Sequence, residues 1–253
     1  MTLCIFNNEW VDLEDLTIPI TSESVQYGVG LFETMRTYKN KVMPFLDEHL
    51  QRFNHSVSEL NLSCAYSTNE IQEMIERLVD KSPHEYQRVK LLLLSDGILV
   101  TSFELVNIEF DIAKLTHWQV NRSLAQHKTT SYLDCHLAWQ YALANGYDDS
   151  ILIDENGWVT ETGRANLFWV RGGVVYTTEQ KVLPGIIRGF IIESLTTEVT
   201  FERIKLSDLY HCDEVFITNS IRGVQAVNQI NDTNYGSHVV TEECQKLLQA
   251  YIS

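Results

Sequence analysis

Trp158-Val159-Thr160-Glu161-Thr162-Gly163-Arg164-Ala165-Asn166-Leu167-Phe168-Trp169 is an apolar, strand-forming stretch broken in the middle by polar residues and one glycine. Just upstream, Asn156-Gly157 separates the strand candidates 149–154 and 158–161, and just downstream Gly172-Gly173 separates 166–170 from 174–177. Dipeptides of this kind supply the positive φ angles of two-residue hairpin turns, with a type I′ turn expected at Asn156-Gly157. The second half of the chain is therefore expected to contain consecutive hairpins. Outward from them lie a helix at about 131–145, stopped by Gly146, a helix after Pro184-Gly185, a strand at 213–218 and a last helix at 242–252.

The first half shows the same mixture. Residues 3–6 and 9–11 flank Asn7-Asn8, a hairpin signal. Leu46, Leu50, Phe53, Val57 and Leu60 recur in steps of four and three, as one face of a helix does. Ser67 followed by Glu70 is a capping-box pattern, and Ile71, Met74, Ile75 and Leu78 continue it as a second amphipathic helix ending before Pro83. Residues 88–94 and 104–110 are strand candidates. The segment 111–128 has no helical period. It sets the expected division into an N-terminal α/β domain, 1–113, and a C-terminal α/β domain, 114–253. The fold class is α/β in the α+β sense, two-lobed, with sheets more antiparallel than parallel.

Composition excludes several functions. The 253 residues carry 34 Asp and Glu against 19 Lys and Arg, a formal charge of −15, which is the wrong sign for nucleic-acid binding. No apolar run approaches the roughly 20 residues of a membrane span, and no basic flank precedes an apolar run at the N-terminus. The five scattered cysteines contain no CxxC pair and read as reduced thiols of a cytoplasmic protein. Phosphate-loop, nucleophile-elbow and zinc motifs are missing. Gly28-Val29-Gly30 begins a dinucleotide fingerprint, but Glu33 stands where its third glycine belongs. His49 and His55 are six apart, off the spacing that aligns two metal ligands on a helix. No metal is expected.

Several isolated polar residues could carry chemistry. Lys128 stands at a strand-to-helix junction. It is either a solvated lysine or an amine whose pKa neighbouring cations or apolar walls lower, as a Schiff-base nucleophile requires. Glu161 is either a turn carboxylate or a buried acid. Leu183-Pro184-Gly185-Ile186-Ile187-Arg188 leads into a helix whose first amides can bind an anion or simply begin a helix. Thr218-Asn219-Ser220 suits a phosphate or a plain turn, and Arg52, beside Phe53, reads on its own as a surface arginine.

Taken together and in order, these stretches resemble a known family. Tyr27-Gly28-Val29-Gly30-Leu31-Phe32-Glu33-Thr34-Met35-Arg36, His49-Leu50-Gln51-Arg52-Phe53, Lys128-Thr129-Thr130-Ser131-Tyr132-Leu133, residues 157–168, 183–188 and 213–220, with Val227 beyond, are similar to the fold-type IV enzymes dependent on pyridoxal 5′-phosphate. That group holds branched-chain and D-amino-acid aminotransferases and aminodeoxychorismate lyase. The resemblance implies that Lys128 forms the Schiff base with the cofactor and moves protons, and that Glu161 pairs with the pyridine nitrogen. It also implies that Arg52, the amides of Ile186 and Ile187, and Ser220 with Asn219 beside it hold the phosphate, and it adds Asn166 to the cofactor-binding set. Ile187 replaces the threonine usual in branched-chain aminotransferases.

Within the group, Thr34, Lys128-Thr129-Thr130 and Thr218-Asn219-Ser220 resemble the lyase more than the transaminases. The resemblance then implies elimination of pyruvate from 4-amino-4-deoxychorismate to give 4-aminobenzoate for folate biosynthesis, with Lys128 as base and Thr34 assisting. The alternatives are a branched-chain or D-amino-acid aminotransferase, and a cofactor-binding homologue without turnover. Substrate contacts fall to Tyr27, Arg164 and Arg188, and a homodimer acting on a small molecule, away from membranes, is expected. One departure stands out. Relatives usually carry Arg-Gly after the strand at 88–94, whereas Ser95-Asp96-Gly97 puts an acid there, so either Arg164, Arg188, Arg222 or a partner subunit supplies the cation for a substrate carboxylate, or the substrate differs from the family norm.

Overall fold

The computed structural model describes residues 3–106 and 112–253. They form two compact units: residues 3–106 with His127–Ser131, and residues 112–126 with Tyr132–Ser253. The contacts thus divide the chain near residue 107 rather than at 113 and return the lysine-bearing segment 127–131 to the first unit. The reason is backbone pairing. Phe32 N–H donates to the Lys128 carbonyl at 2.8 Å and Thr130 N–H to the Gly30 carbonyl at 3.0 Å.

In the first unit the elements run β1 (Leu3–Phe6), β2 (Glu9–Asp12), α1 (Glu23–Tyr27), β3 (Gly30–Arg36), α2 (Leu46–Glu59), α3 (Thr68–Lys81), β4 (Gln87–Leu94) and β5 (Gly97–Glu104). The five strands pair antiparallel in the order β2-β1-β5-β4-β3. Asn7 and Asn8 both adopt positive φ, 50° and 68°, as a type I′ hairpin demands. Side chains alternate across the sheet, so Leu31, Met35, Val89, Leu91, Ile98 and Val100 share one face. That face is covered by Leu50 and Phe53 of α2 and by Ile71, Met74 and Ile75 of α3. The α3 capping box forms as its sequence predicts: Glu70 N–H donates to Ser67 Oγ at 3.4 Å and Ser67 N–H to Glu70 Oε2 at 2.8 Å.

The strand expected at 104–110 falls mostly outside the described residues. β5 is Gly97–Glu104, Leu105 and Val106 are irregular, and 107–110 lie outside the described residues. Ser95-Asp96-Gly97 is not a loop that closes a strand but the tip of a hairpin, because Leu94 pairs directly with Gly97.

The second unit comprises β6 (Ala113–Gln119), α4 (Leu133–Ala144), β7 (Asp149–Ile153), β8 (Val159–Thr162), β9 (Asn166–Arg171), β10 (Val174–Thr177), α5 (Ile186–Ser194), β11 (Val199–Phe201), α6 (Leu206–Leu209), β12 (Glu214–Asn219), β13 (Gly223–Ile230), β14 (Thr233–Asn234) and α7 (Val239–Ile252). Its nine strands run β11-β10-β9-β12-β13-β6-β7-β8, with β14 on β13. The pairs β10–β11, β13–β6 and β6–β7 are parallel and the others antiparallel. Gly172 and Gly173 make the expected hairpin, with φ of 58° and 79°. The turn at Asn156-Gly157 is not type I′: Gly157 takes φ 77° but Asn156 does not follow. The Asp154 carboxylate accepts the N–H groups of Asn156 and Trp158, both at 2.9 Å, and thereby fixes a wider loop. The unpatterned segment 111–128 conceals β6, whose mixed side chains hide a central strand.

Ile75, fully buried among α3, α2 and the sheet, sets the scale of the first core. Ile75→Ala should lower unfolding free energy by about 2–5 kcal/mol and Ser67→Ala by about 1 kcal/mol. The exposed Glu73→Ala should shift it by less than about 0.5 kcal/mol. Urea midpoints compare the three.

Candidate active site

Alternation along β3 places Glu33 between Leu31 and Met35, on the core face of the sheet, where it is 1% exposed. A carboxylate there is tolerable only if paired. His49 and Arg52, three apart on α2, point at it: Arg52 Nε donates to Oε1 at 2.8 Å, Arg52 NH2 to Oε2 at 2.6 Å, and His49 Nδ1 lies 2.7 Å from Oε2. Burial pushes the Glu33 carboxyl up, but the Arg52 charge and the hydrogen bonds from His49 and Arg52 outweigh it and hold the pKa at about 2. Burial lowers the pKa of His49 despite Glu33, with the charges of Arg52 and Lys128 adding to the effect. His49 is accordingly a neutral imidazole that donates its Nδ1–H to the carboxylate. Arg52, read from sequence alone as a surface residue, is 9% exposed and locked in a bidentate fork.

On the opposite face of β3 lie Phe32 and Thr34, both half-buried. The Lys128 ammonium sits 4.4 Å from the Phe32 ring centroid. Thr130 Oγ1 donates to the Gly28 carbonyl at 2.7 Å, and Ser131 Oγ to the same oxygen at 3.1 Å. Gly30 cannot be replaced here, because a Cβ would meet the Leu93 carbonyl at 2.4 Å. Tyr27 ends α1 and is 71% exposed.

In the second unit, Glu161 of β8 is 4% exposed. Its Oε2 accepts Asn166 Nδ2 and the Leu183 N–H, both at 3.1 Å, and its Oε1 pairs with the Arg122 guanidinium. It is a buried acid, not a turn carboxylate. Asn166 Nδ2 also donates to the Leu183 carbonyl at 2.9 Å, so one amide fastens β9 to the approach to α5. Gly185 passes so close that a Cβ would lie 1.8 Å from Asn166 Oδ1. Ile186 and Ile187 open α5 with no side-chain cap on their amides. Asn219 Oδ1 accepts the N–H groups of Ile221 and Arg222 at 3.0 and 2.7 Å, which holds the turn containing Ser220. The buried Thr218 hydroxyl on the preceding strand finds no partner among the described residues. An uncapped helix start, an unsatisfied hydroxyl and a buried, oriented carboxylate within one unit form a donor and acceptor set that fits a phosphorylated heterocycle.

Arg164 and Arg188 are placed otherwise than expected. Arg164 stacks 4.2 Å from the Trp139 ring centroid and donates to the Asp148 carbonyl at 3.1 Å. Arg188 donates to the Thr178 carbonyl at 2.8 Å and is 8% exposed. Both guanidiniums brace the unit's own backbone.

Three residues escaped the sequence reading. Glu33 was visible as an acid in phase with Leu31 and Met35. Tyr132, whose buried hydroxyl donates to the Gly163 carbonyl at 2.7 Å, was marked only as part of a helix start. Arg122 lay in a segment without period and left no signal.

A family model described as amino-transferase class IV matches residues 30–230. The chain belongs to that family. Pyridoxal 5′-phosphate is the family's cofactor, as expected from the sequence. The branched-chain-amino-acid aminotransferase of Pseudomonas aeruginosa is 26% identical over 278 residues, covering 97% of this chain and 90% of its own. A branched-chain amino acid aminotransferase from the source abbreviated T.th., solved with 4-methylvaleric acid, superposes with a TM-score of 0.88 at 26% identity, covering 100% and 94% of the two chains. The same enzyme has been solved with N-(5′-phosphopyridoxyl)-L-glutamate. The aminodeoxychorismate lyase of Bacillus subtilis is 26% identical over 258 residues, 91% of this chain and 87% of its own.

These relatives overturn the expected lyase activity, because most are branched-chain aminotransferases, matched over similar or greater lengths. The geometry explains the error. Thr130 and Asn219, taken as marks of the lyase, spend their side chains on backbone, Thr130 on the distant Gly28 carbonyl and Asn219 on its own turn. Such contacts serve the fold and do not discriminate between reactions.

Glu33→Gln tests the buried cluster. Because the folded pKa lies below the usual carboxylate value, the stabilisation is complete above about pH 5 and fades as pH falls towards 2. Wild type should exceed the variant by about 3 kcal/mol at pH 7, and urea titrations should show the gap closing between pH 5 and 2.

Proposed function

We propose that this protein is a pyridoxal-phosphate-dependent aminotransferase acting on aliphatic α-amino acids of the branched-chain type. The observation that carries the reading is the near full-length match, in sequence and in fold, to branched-chain-amino-acid aminotransferases. When bound, the cofactor supplies an aldehyde for the substrate amine and a ring that draws electrons from its α-carbon.

The chain's residues then divide the work. Lys128 Nζ would hold the cofactor through its aldehyde and, as general base and acid, would move the substrate's α-proton. The position of its ammonium over Phe32 supports that role, since an aromatic ring is the kind of apolar wall that favours a reactive amine. Glu161, oriented by Arg122 and Asn166, would serve as the acceptor for the pyridine nitrogen. Arg122 stays charged: burial opposes the charge, but Glu161 beside it keeps the guanidinium above its usual range. In the first unit Arg52, aimed by Glu33, would serve the phosphate; in the second, the amides of Ile186 and Ile187 and the Asn219–Ser220 turn are suited to an anion. Thr34, beside Phe32 on the free face of β3, and Tyr27 meet the substrate side chain.

Two measurements test the reading. The purified holoenzyme should be yellow and its band should bleach on adding L-leucine, L-valine or L-isoleucine, then return with a 2-oxo acid. Lys128→Ala should show neither the band nor borohydride trapping of the cofactor. A holoenzyme whose band survives every amino acid would overturn the proposal.

A further inference from the structure

The segment 127–131 is a strap seated twice within the first unit, once on β3 and once on α2. The antiparallel bridge of Leu31 with Thr129, and the hydrogen bonds on either side of it, set a register that places Lys128 beside Phe32 and His127 beside Glu33. Side chains alternate along such a paired segment, so Lys128 turns to the outward face of the sheet and His127 to the core face. His127 is buried there, and its Nδ1 lies 3.1 Å from Oγ of the buried Ser56. That serine extends a pattern already described. His49, Arg52 and Ser56 follow at steps of three and four along α2, one stripe of the helix. The first two hold Glu33, and the third holds the residue that precedes the lysine.

His127 has no part in the chemistry proposed above. Burial lowers its pKa, and so does His55, whose ring centroid is 6.3 Å from its own, while Glu59 opposes them; His127 is therefore a neutral imidazole. A buried imidazole and a buried hydroxyl that share one hydrogen bond resist separation, because each would be left unpaired away from water. The pair thus works as a peg. It stops the strap from sliding along β3 and from rolling about its own axis, and either movement would carry the Lys128 amine off the Phe32 ring it now stands over at 4.4 Å.

We infer that His127 is a positioning residue for Lys128. Through Ser56 it ties the amine to the same helix stripe that aims Arg52, so that one face of α2 places both cations. The inference rests on the reading of Lys128 as the residue that holds the cofactor, and it names the group, away from the reacting atoms, that sets how readily the amine meets an aldehyde.

The test mixes full-length protein, freed of cofactor, with pyridoxal 5′-phosphate or with pyridoxal, which lacks the phosphate, and follows the rate at which the yellow band appears. Ser56→Ala and His127→Phe should each slow both aldehydes alike, by about five- to tenfold, the scale of one buried hydrogen bond. The double variant should be no slower than His127→Phe, since both changes remove the same contact. His127→Asn, whose amide can stand where Nδ1 stood, should recover most of the rate, and only while Ser56 is present. Ile75→Val loosens the same core without touching the strap and should leave the rate within about twofold; a merely structural role for His127 predicts slowing there too. If His127→Phe does not fold, Ser56→Ala and His127→Asn decide the matter. Unchanged rates in the single variants, slowing confined to the phosphorylated aldehyde, or losses that multiply in the double variant would overturn the assignment. Failure of the reading of Lys128 is seen separately, as a wild-type protein that forms no band with either aldehyde or a Lys128→Ala variant that still does, and it would take the inference with it.

Discussion

A carboxylate in the middle of an apolar sheet face is the constraint around which the first unit is built. Glu33 sits in line with Leu31 and Met35, where water does not reach, so its charge must be met by protein. Arg52 and a neutral His49 meet it from one helix, and this pairing fixes the rotation of α2 against β3 as firmly as the hydrocarbon contacts around it. It also prevents the Arg52 guanidinium from straying. A buried ion pair is weak evidence for net stability, since desolvation offsets much of the attraction. Its value lies in leaving one orientation available to an arginine that the proposed function needs for a phosphate.

The second unit solves a similar problem differently. Glu161 is held by an amide, a backbone N–H and Arg122, so its two oxygens are aimed by three separate segments. The sharpest steric demand lies nearby, at Gly185, whose φ is ordinary but whose missing side chain lets the start of α5 touch Asn166. Both units keep charged groups in place through fixed dipoles and hydrogen bonds rather than through mobile side chains, the arrangement expected where charge must be stabilised without reorganisation.

Much of this was legible in the order of residues. The α3 cap, the Asn7-Asn8 and Gly172-Gly173 hairpins and the amphipathic α2 follow from local rules that need no partner. Glu33 was legible too, since its phase with Leu31 and Met35 marks an acid on a core face. What could not be read depends on distant partners. Arg122 acquires meaning only through Glu161, 39 residues on. β6 is a central strand whose pattern is set by neighbours from both ends of the unit. The choice between lyase and aminotransferase failed because Thr130 and Asn219 were judged by identity, while their geometry assigns them to the backbone.

The backbone pairing of residues 127–131 has one more consequence. β3 is the outermost strand of its sheet, and an open strand edge bearing Leu31, Phe32 and Met35 invites pairing with another molecule. The lysine-bearing segment occupies part of that edge, through the Phe32–Lys128 and Gly30–Thr130 hydrogen bonds and the bridge of Leu31 with Thr129. The lysine-bearing strap is thus a guard against aggregation, and cleaving the chain near Lys128 would leave a sticky sheet margin.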